Sequence, residues 1–585
     1  MTRDILGAYK QAQSPLPATM WLWPLYGAGF ENLGVEGKPI QVPVPAYGPD
    51  ELLVRHDAVG LCFSDVKVIR AGDQHPRLQG RDMKANPVVL GHEVALTIVG
   101  VGENLKNKFK VGERYIIQAD IYVGGKTFAY GYVLQGGLSQ YNVLGEEALN
   151  GDEGCYLLPI HEDLSYASVA LTEPWACVEA VYHIPYRQAW QDGGVVWFIG
   201  TAQSQDKTYT LGQPWAAGTK PRLIIATDLP AALLKTVQAQ AASWGIPVKE
   251  MNKLSDATYD AVKAATDGKG VNDIVILGAD ADITEKALTL MADRGTLNLV
   301  AEQPMQRAVQ VDVGRVHYDW LQLMGTKGTD ISKGYAPIRT EVKPGGKAWF
   351  VGAAGPMGRM LVQYTLESAG KPAVAVAHDL VTWRLDDLDE KLAPVARANG
   401  VDLIALSQEG MDAETFHARL LSIAPDGFDD IVVPAPTPRA VEGAMTHLAE
   451  NCTVCIFAGL SRGTMATLDL TPVYQRGVRF TGSSGSSILD MQRTLERAES
   501  GHLFPEQVVA AVASLGGAKE GLDAVATGRF SGKVVVYPQI ADLPVTPLEE
   551  LGKRLPKVAK LLSQSGAWTK AAEDELLREM LPLFS

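Results

Sequence analysis

The chain has 585 residues, 46% of them hydrophobic, and a formal net charge of −14. That length leaves room for about three or four ordinary domains, and the negative balance argues against a nucleic-acid or anionic-membrane partner, which needs a clustered positive field. No basic-then-apolar start and no apolar run of membrane-spanning length occurs, so a cytoplasmic protein is expected.

In chain order, residues 1–190 read as short strands and glycine turns, with runs such as Leu52-Leu53-Val54 and Val88-Val89-Leu90. From 191 the texture becomes strand, helix, strand. Leu223 to Ala226 precedes a helical stretch from Ala231 to Val237, an alternation that implies a parallel sheet. The pattern restarts at 339 and runs to about 490. Residues 491–545 combine a helix over Met491 to Ser500 with a strand over Gly532 to Tyr537, a β-type ending that suggests a return to the first domain. The tail, 546–585, reads as two amphipathic packing helices, Leu548 to Ser563 and Thr569 to Leu583. The five cysteines are too few and too scattered for a disulfide framework, and Cys452 and Cys455 read as thiols of a buried strand.

The two strand-helix-strand stretches repeat one another. Gly270-Val271-Asn272-Asp273-Ile274-Val275-Ile276 matches Gly427-Phe428-Asp429-Asp430-Ile431-Val432-Val433 at an offset of 157 (427 − 270). The same offset carries Met291-Ala292-Asp293 onto Leu448-Ala449-Glu450 and Gly325 to Gly328 onto Gly482 to Gly485. A single long period means a duplicated domain. The copies open alike, Val196 to Gly200 and Ala348 to Gly352, and then part. The second continues Ala353-Ala354-Gly355-Pro356-Met357-Gly358, and the first continues Thr201-Ala202-Gln203-Ser204-Gln205-Asp206.

Glycines at 355 and 358 let backbone approach a pyrophosphate at a helix N-terminus, where unpaired N–H groups favour an anion. Ala353 stands where the usual pattern has its first glycine, with Gly352 just before it. Asp379 follows the next strand, and an acid there accepts from the adenosine ribose hydroxyls and repels a 2′-phosphate, which favours NAD. The first copy keeps such an acid, Asp228, without the glycines, so it is expected not to bind NAD. In the first domain Cys62, His92, Glu93 and Glu173 have the donor chemistry of a catalytic zinc site: a thiolate, an imidazole and a carboxylate with a position left open. On residue types alone, a buried thiol and a satisfied core histidine are the ordinary alternatives.

The strings around Cys62, Gly91-His92-Glu93, Gly136 to Tyr141, Glu173-Pro174 and Gly355 to Gly358 resemble, in that order, the zinc-dependent medium-chain alcohol and polyol dehydrogenases. The likeness covers about residues 35–190 and 340–540. Cys155 to Pro159, Ala176 to His183 and Gly427 to Ile431 look like the L-sorbose-1-phosphate reductase branch. The resemblance implies an α/β chain with a GroES-like β-rich catalytic domain (1–190) and two tandem Rossmann-like, doubly wound domains. The first of these (191–338) is degenerate and the second (339–490) binds NAD, before the chain returns to the catalytic domain (491–545) and ends in the helical tail (546–585). It implies hydride transfer between NAD(H) and a secondary alcohol or ketone of a polyol, sugar or sugar phosphate. A metal-independent reductase of the same superfamily and an inactive scaffold are the alternatives.

By the same resemblance Cys62, His92 and either Glu93 or Glu173 hold one catalytic zinc. No cysteine lies between Val94 and Tyr132, so the family's structural zinc is not expected. Ser64 passes on the alcohol's proton, and Lys67 stands where the family's relay histidine would. Ala353, Gly355, Pro356, Met357, Gly358 and Asp379 hold the cofactor, with Ser483 and Ser484 towards its nicotinamide end. His75, Arg77, Arg81 and Lys84 form a polar loop suited to a substrate phosphate or to solvent, and Tyr132 lines the pocket or belongs to the core. Such enzymes generally dimerise by joining sheet edges, so the degenerate copy is read as taking the partner's place and covering an exposed edge.

Overall fold

The computed structural model describes residues 4–582 except 79, 213–218 and 252. It divides into two compact units, Met1–Ala180 with Gly485–Ser585, and Val181–Ser484.

The first unit is built on an eight-stranded sheet. Leu52–Gly60 runs antiparallel to Glu93–Val101, and the late strand Lys533–Tyr537 lies beside it through Val535 and Gly60. Val59, Val94, Leu96, Val534 and Val536 close the core between them. The chain therefore does come back to its first sheet. Helix α1 (Phe63–Ala71) starts directly after a sheet strand because Cys62 caps it. The Cys62 sulfur accepts from Ser64 N, and Asp65 accepts from Cys62 N. Helix α2 (Tyr166–Val181) is capped from a distance, since Glu573 accepts from both Tyr166 N and Ala167 N and thereby fastens the tail. The tail differs from the sequence expectation in one respect. Pro556 breaks the first predicted helix into Leu551–Arg554 and Pro556–Ala559, because a proline tolerates only a helix's first turn.

The second unit is one twelve-stranded sheet. Its strands are β1 (Val195–Gly200), β2 (Leu223–Thr227), β3 (Val248–Met251), β4 (Val271–Leu277), β5 (Met291–Ala301), β6 (Gln322–Lys327), then β7 (Lys347–Val351), β8 (Val374–Asp379), β9 (Asp402–Ser407), β10 (Phe428–Val433), β11 (Leu448–Ile456) and β12 (Arg479–Gly482). Their spatial order is β3-β2-β1-β4-β5-β6-β12-β11-β10-β7-β8-β9. Each half has the 3-2-1-4-5-6 order of a doubly wound dinucleotide fold. The all-apolar run of β1 is what a strand buried on both faces requires, and β10 is buried throughout as well, although it carries Asp429 and Asp430.

The halves meet at their sixth strands. Leu323 pairs antiparallel with Phe480, and these positions are equivalent (480 − 323 = 157). The strands Val309–Asp312 and Met465–Leu468 also pair, with Gln310 opposite Thr467, again equivalent (467 − 310 = 157). Equivalent residues facing each other mark a two-fold axis, as in the isologous interface of a symmetric dimer.

The repeated glycine-to-aspartate string has a structural cause. Asp273 is fully buried, takes Arg187 Nη1 at 2.8 Å and accepts from Thr296 Oγ1 at 2.6 Å. Asp430 does the same with Arg339 Nη1 at 2.7 Å and Thr453 Oγ1 at 2.7 Å. Each carboxylate joins the segment entering its copy to two central strands. Arg339→Ala leaves Asp430 buried without its cation and is expected to cost about 3 kcal/mol in urea unfolding. Asp430→Asn, which removes the charge, should cost less.

The copies differ most after their first strands. β7 leads through Gly352 and Gly355 into α3 (Pro356–Glu367), whereas β1 leads into a three-residue 3-10 turn, Ala202–Ser204. Among the described residues no α-helix lies between β1 and β2. Gln203 closes this turn, donating to Ala279 O at 2.9 Å and accepting from Ala279 N at 3.0 Å. Among the described residues the first copy thus lacks the helix, and its sequence lacks the glycines.

Candidate functional site

The ends of two strands and the start of α1 bring Cys62, His92 and Glu93 together. Among the described residues they form a group of possible metal ligands whose donor atoms all lie within 4.8 Å of one another. Asp65 ties the two ligand segments. Its Oδ2 accepts from Cys62 N at 3.0 Å, while Oδ1 lies 3.2 Å from both Gly91 N and His92 Nδ1. A proton held on Nδ1 leaves Nε2 as the free lone pair, the state a metal needs. Burial opposes a charge on His92, but the Tyr132 ring oxygen and Asp65 outweigh it and push the imidazole's pKa up.

Glu93 is fully buried, and one of its oxygens pairs with Lys533 Nζ. The other, Oε2, has no partner. A buried carboxylate oxygen left bare costs free energy unless something occupies it. Gly60 makes room for it, since a Cβ there would stand 2.0 Å from Oε2. The thiol, the imidazole and this bare oxygen are a donor set that suits zinc. Glu173 lies outside the group but within its field. Burial raises its pKa to about 7, with His92 pulling it down and Glu93 pushing it up.

The predicted substrate side chains gather beside His92. The Tyr132 ring stands 5.7 Å from both the His92 and His75 rings, and the Arg77 guanidinium lies 4.9 Å over its face. Arg77 is paired with Asp120 at 2.6 Å. Burial, then Arg77 and Lys67, lower the His75 pKa to about 4, so it is neutral. Ser64 and Lys67 lie on α1, both partly buried. Arg81 belongs elsewhere. Its guanidinium binds the Asn86, Pro87, Tyr132 and Val133 carbonyls and so pins its own loop. Lys84 is exposed.

In the second unit Gly355 caps α3 with open space where a Cβ would be. At Gly358 a Cβ would sit 2.6 Å from Gly352 O and 2.7 Å from the Ala353 backbone, so glycine alone permits the helix this close to β7. Pro356 and Met357 open the first turn, and Ala353 is buried beneath it. Asp379 ends β8 and accepts from Ala354 N at 3.0 Å, which puts its carboxylate at the glycine turn. This cradle suits a dinucleotide's pyrophosphate and ribose. Ser484 Oγ accepts from Trp320 Nε1 at 2.9 Å, and Ser483 is buried with its hydroxyl unpartnered.

Sequence reasoning assigned no role to Asp65 or Lys533. A lysine opening the otherwise apolar Val534-Val535-Val536 strand was the available signal for the second; nothing local pointed to its partner, 440 positions away.

Residues 48–150 match the family model for the alcohol dehydrogenase GroES-like domain. The chain is 29% identical over 308 residues to a mannitol-1-phosphate 5-dehydrogenase of Aliivibrio fischeri, covering 49% of this chain and 70% of that protein. It is 30% identical over 304 residues to YggP of Escherichia coli, an uncharacterized protein, with 49% and 70% covered. For an L-sorbose 1-phosphate reductase of Klebsiella pneumoniae the identity is 27% over 299 residues, with 49% and 71% covered. Among solved structures, 2R,3R-butanediol dehydrogenase of Bacillus subtilis aligns with a TM-score of 0.50 at 14% identity, over 89% of this chain and 99% of that one, which speaks for the fold. With these relatives, the clustered ligands and the glycine cradle together, the chain belongs to the zinc-type medium-chain alcohol and polyol dehydrogenase family.

Proposed function

We propose that the protein is a zinc-dependent, NAD-linked dehydrogenase that interconverts a secondary alcohol and a ketone on a phosphorylated polyol or sugar. The observation that carries this is the group formed by half-buried Cys62 with buried His92 and Glu93, and its unpartnered carboxylate oxygen. Cys62, His92 and Glu93 would hold one zinc, with Glu173 as the nearby carboxylate. When bound, zinc supplies Lewis acidity to the substrate oxygen and NAD supplies the hydride acceptor. Asp65 keeps His92 in its ligating tautomer, and Lys533 balances the charge of Glu93. Ser64 takes the alcohol proton, with Lys67 beyond it. Asp379 favours NAD over its 2′-phosphorylated form.

The phosphate is supported by Lys67 and Arg77 beside neutral His75, and by two relatives named for phosphorylated substrates, the mannitol-1-phosphate 5-dehydrogenase and the L-sorbose 1-phosphate reductase. Arg77 has five N–H donors, enough to keep Asp120 and meet a phosphate. The first copy is read as occupying a partner subunit's position, supported by the two-fold join at β6 and β12.

NADH formation with mannitol 1-phosphate, related sugar alcohol phosphates and their unphosphorylated forms tests the reading. Phosphorylated substrates are expected to be preferred, and Arg77→Ala should lower their kcat/KM by about 10- to 100-fold while changing that of plain polyols little. No NADH formation across the panel, with zinc bound, would sink it.

A further inference from the structure

After β1 the first copy has Thr201-Ala202-Gln203-Ser204 in place of the glycine turn that suits a dinucleotide's phosphates, yet it keeps the space of the other half of such a ligand. A cavity of about 510 Å³ lies at the carboxyl ends of β1, β2 and β3, the edge where open parallel sheets receive ligands. Its size falls within the ~300–1,000 Å³ of small-molecule sites. Leu234, Met251, Leu254 and Ile283 give it an apolar wall, and Asp228 and Glu250 supply its charge. Among the described residues that line it there is no lysine, arginine or histidine.

Two features reject an anion. Two N–H groups of the turn after β1 are spent locally: Gln203 N donates to Thr201 Oγ1 at 3.3 Å and Ser204 N to Thr201 O at 3.0 Å. The lining charges are acidic, so a phosphate would meet repulsion in a site partly screened from water. Asp228, however, stands just past β2, as Asp379 stands at the end of β8. It is held by Leu254 N, which donates to Oδ2 at 2.8 Å. A carboxylate accepts through both oxygens, and Oδ1 is the group that takes a ligand hydroxyl.

We propose that this cavity is a second binding site of the chain, for an uncharged nucleoside. The ribose diol meets Asp228 and the base lies against the wall formed by Leu254 and Ile283. The site is separate from the cofactor cradle and independent of what the catalytic unit turns over.

The probe is adenosine, titrated calorimetrically into the full-length protein with NADH saturating, so that the second copy is filled. One adenosine per chain is expected, with AMP bound at least about tenfold more weakly because its phosphate enters a cavity whose lining charges are acidic. Ala202→Trp places an indole in the mouth of the cavity from an exposed position and should abolish the heat. Asp228→Asn, which suits the positive φ of 50° at that residue, should weaken binding about tenfold by losing a charge-assisted hydrogen bond. Both variants should keep the wild-type affinity for NADH. The proposal is overturned if adenosine gives no binding up to millimolar concentration, if saturating NADH displaces it, or if it binds both variants like the wild type. AMP binding as tightly as adenosine would overturn the assignment to an uncharged ligand.

Discussion

Cys62→Ser is expected to strip the protein of its metal and lower kcat/KM by at least about 10³-fold, the equivalent of about 4 kcal/mol of transition-state stabilisation. The substitution separates two jobs of one side chain. Cys62 caps α1 through Ser64 N and would also ligate zinc through the same sulfur. Serine is among the best helix caps but a poor ligand beside a thiolate. The fold should therefore survive while metal content, measured by mass spectrometry on dialysed protein, falls. Glu93→Gln should lose metal as well, and Glu173→Gln should retain it, because the donor atoms of Cys62, His92 and Glu93 are the ones that converge. Full zinc occupancy and wild-type turnover in Cys62→Ser would remove the basis for the catalytic reading.

Gly355→Val should abolish cofactor binding, raising the Kd for NADH by at least about 100-fold, with little change in the free protein. A Cβ at 355 meets nothing, so the unliganded fold loses only the difference in helix capping, about 1 kcal/mol. The added branches fill the space in which a pyrophosphate would approach the N–H groups of α3. At Gly358 the outcome differs. There a Cβ collides with Gly352 and Ala353, so a side chain must push α3 from β7 and lower the melting temperature too. Comparing the two variants by thermal unfolding and NADH fluorescence distinguishes loss of a cradle from loss of packing. NADH affinity unchanged in Gly355→Val would place the cofactor elsewhere.

The duplication, the strand-helix alternation and the strand carrying Cys452 and Cys455 were legible because each rests on local periodicity or on strings that repeat. The strings around Cys62 and His92 were legible as chemistry, but that Glu93 and not Glu173 falls into one group with them depends on how two strands and α1 converge. The Glu93–Lys533 pair joins residues from opposite ends of the sequence, and no local pattern encodes such a distance. Arg81 and Arg77 looked alike on one polar loop, yet one is consumed by backbone carbonyls and the other lies over Tyr132. The missing glycines of the first copy could be read directly. The 3-10 turn that follows β1 could not, because its closing contact, Gln203 with Ala279, joins residues far apart in the sequence. The break at Pro556 was open to view, and amphipathic spacing on both sides concealed it.

The axis through Leu323 and Phe480 changes what a single mutation means. In a dimer of identical subunits each change is made twice, so a residue on the axis must suit itself. Here the two sides of the contact are encoded separately, and a leucine faces a phenylalanine, and a glutamine a threonine. Selection can therefore tune one side against the other. It can also change one half without changing the other, and dilution cannot part the halves because they share one backbone.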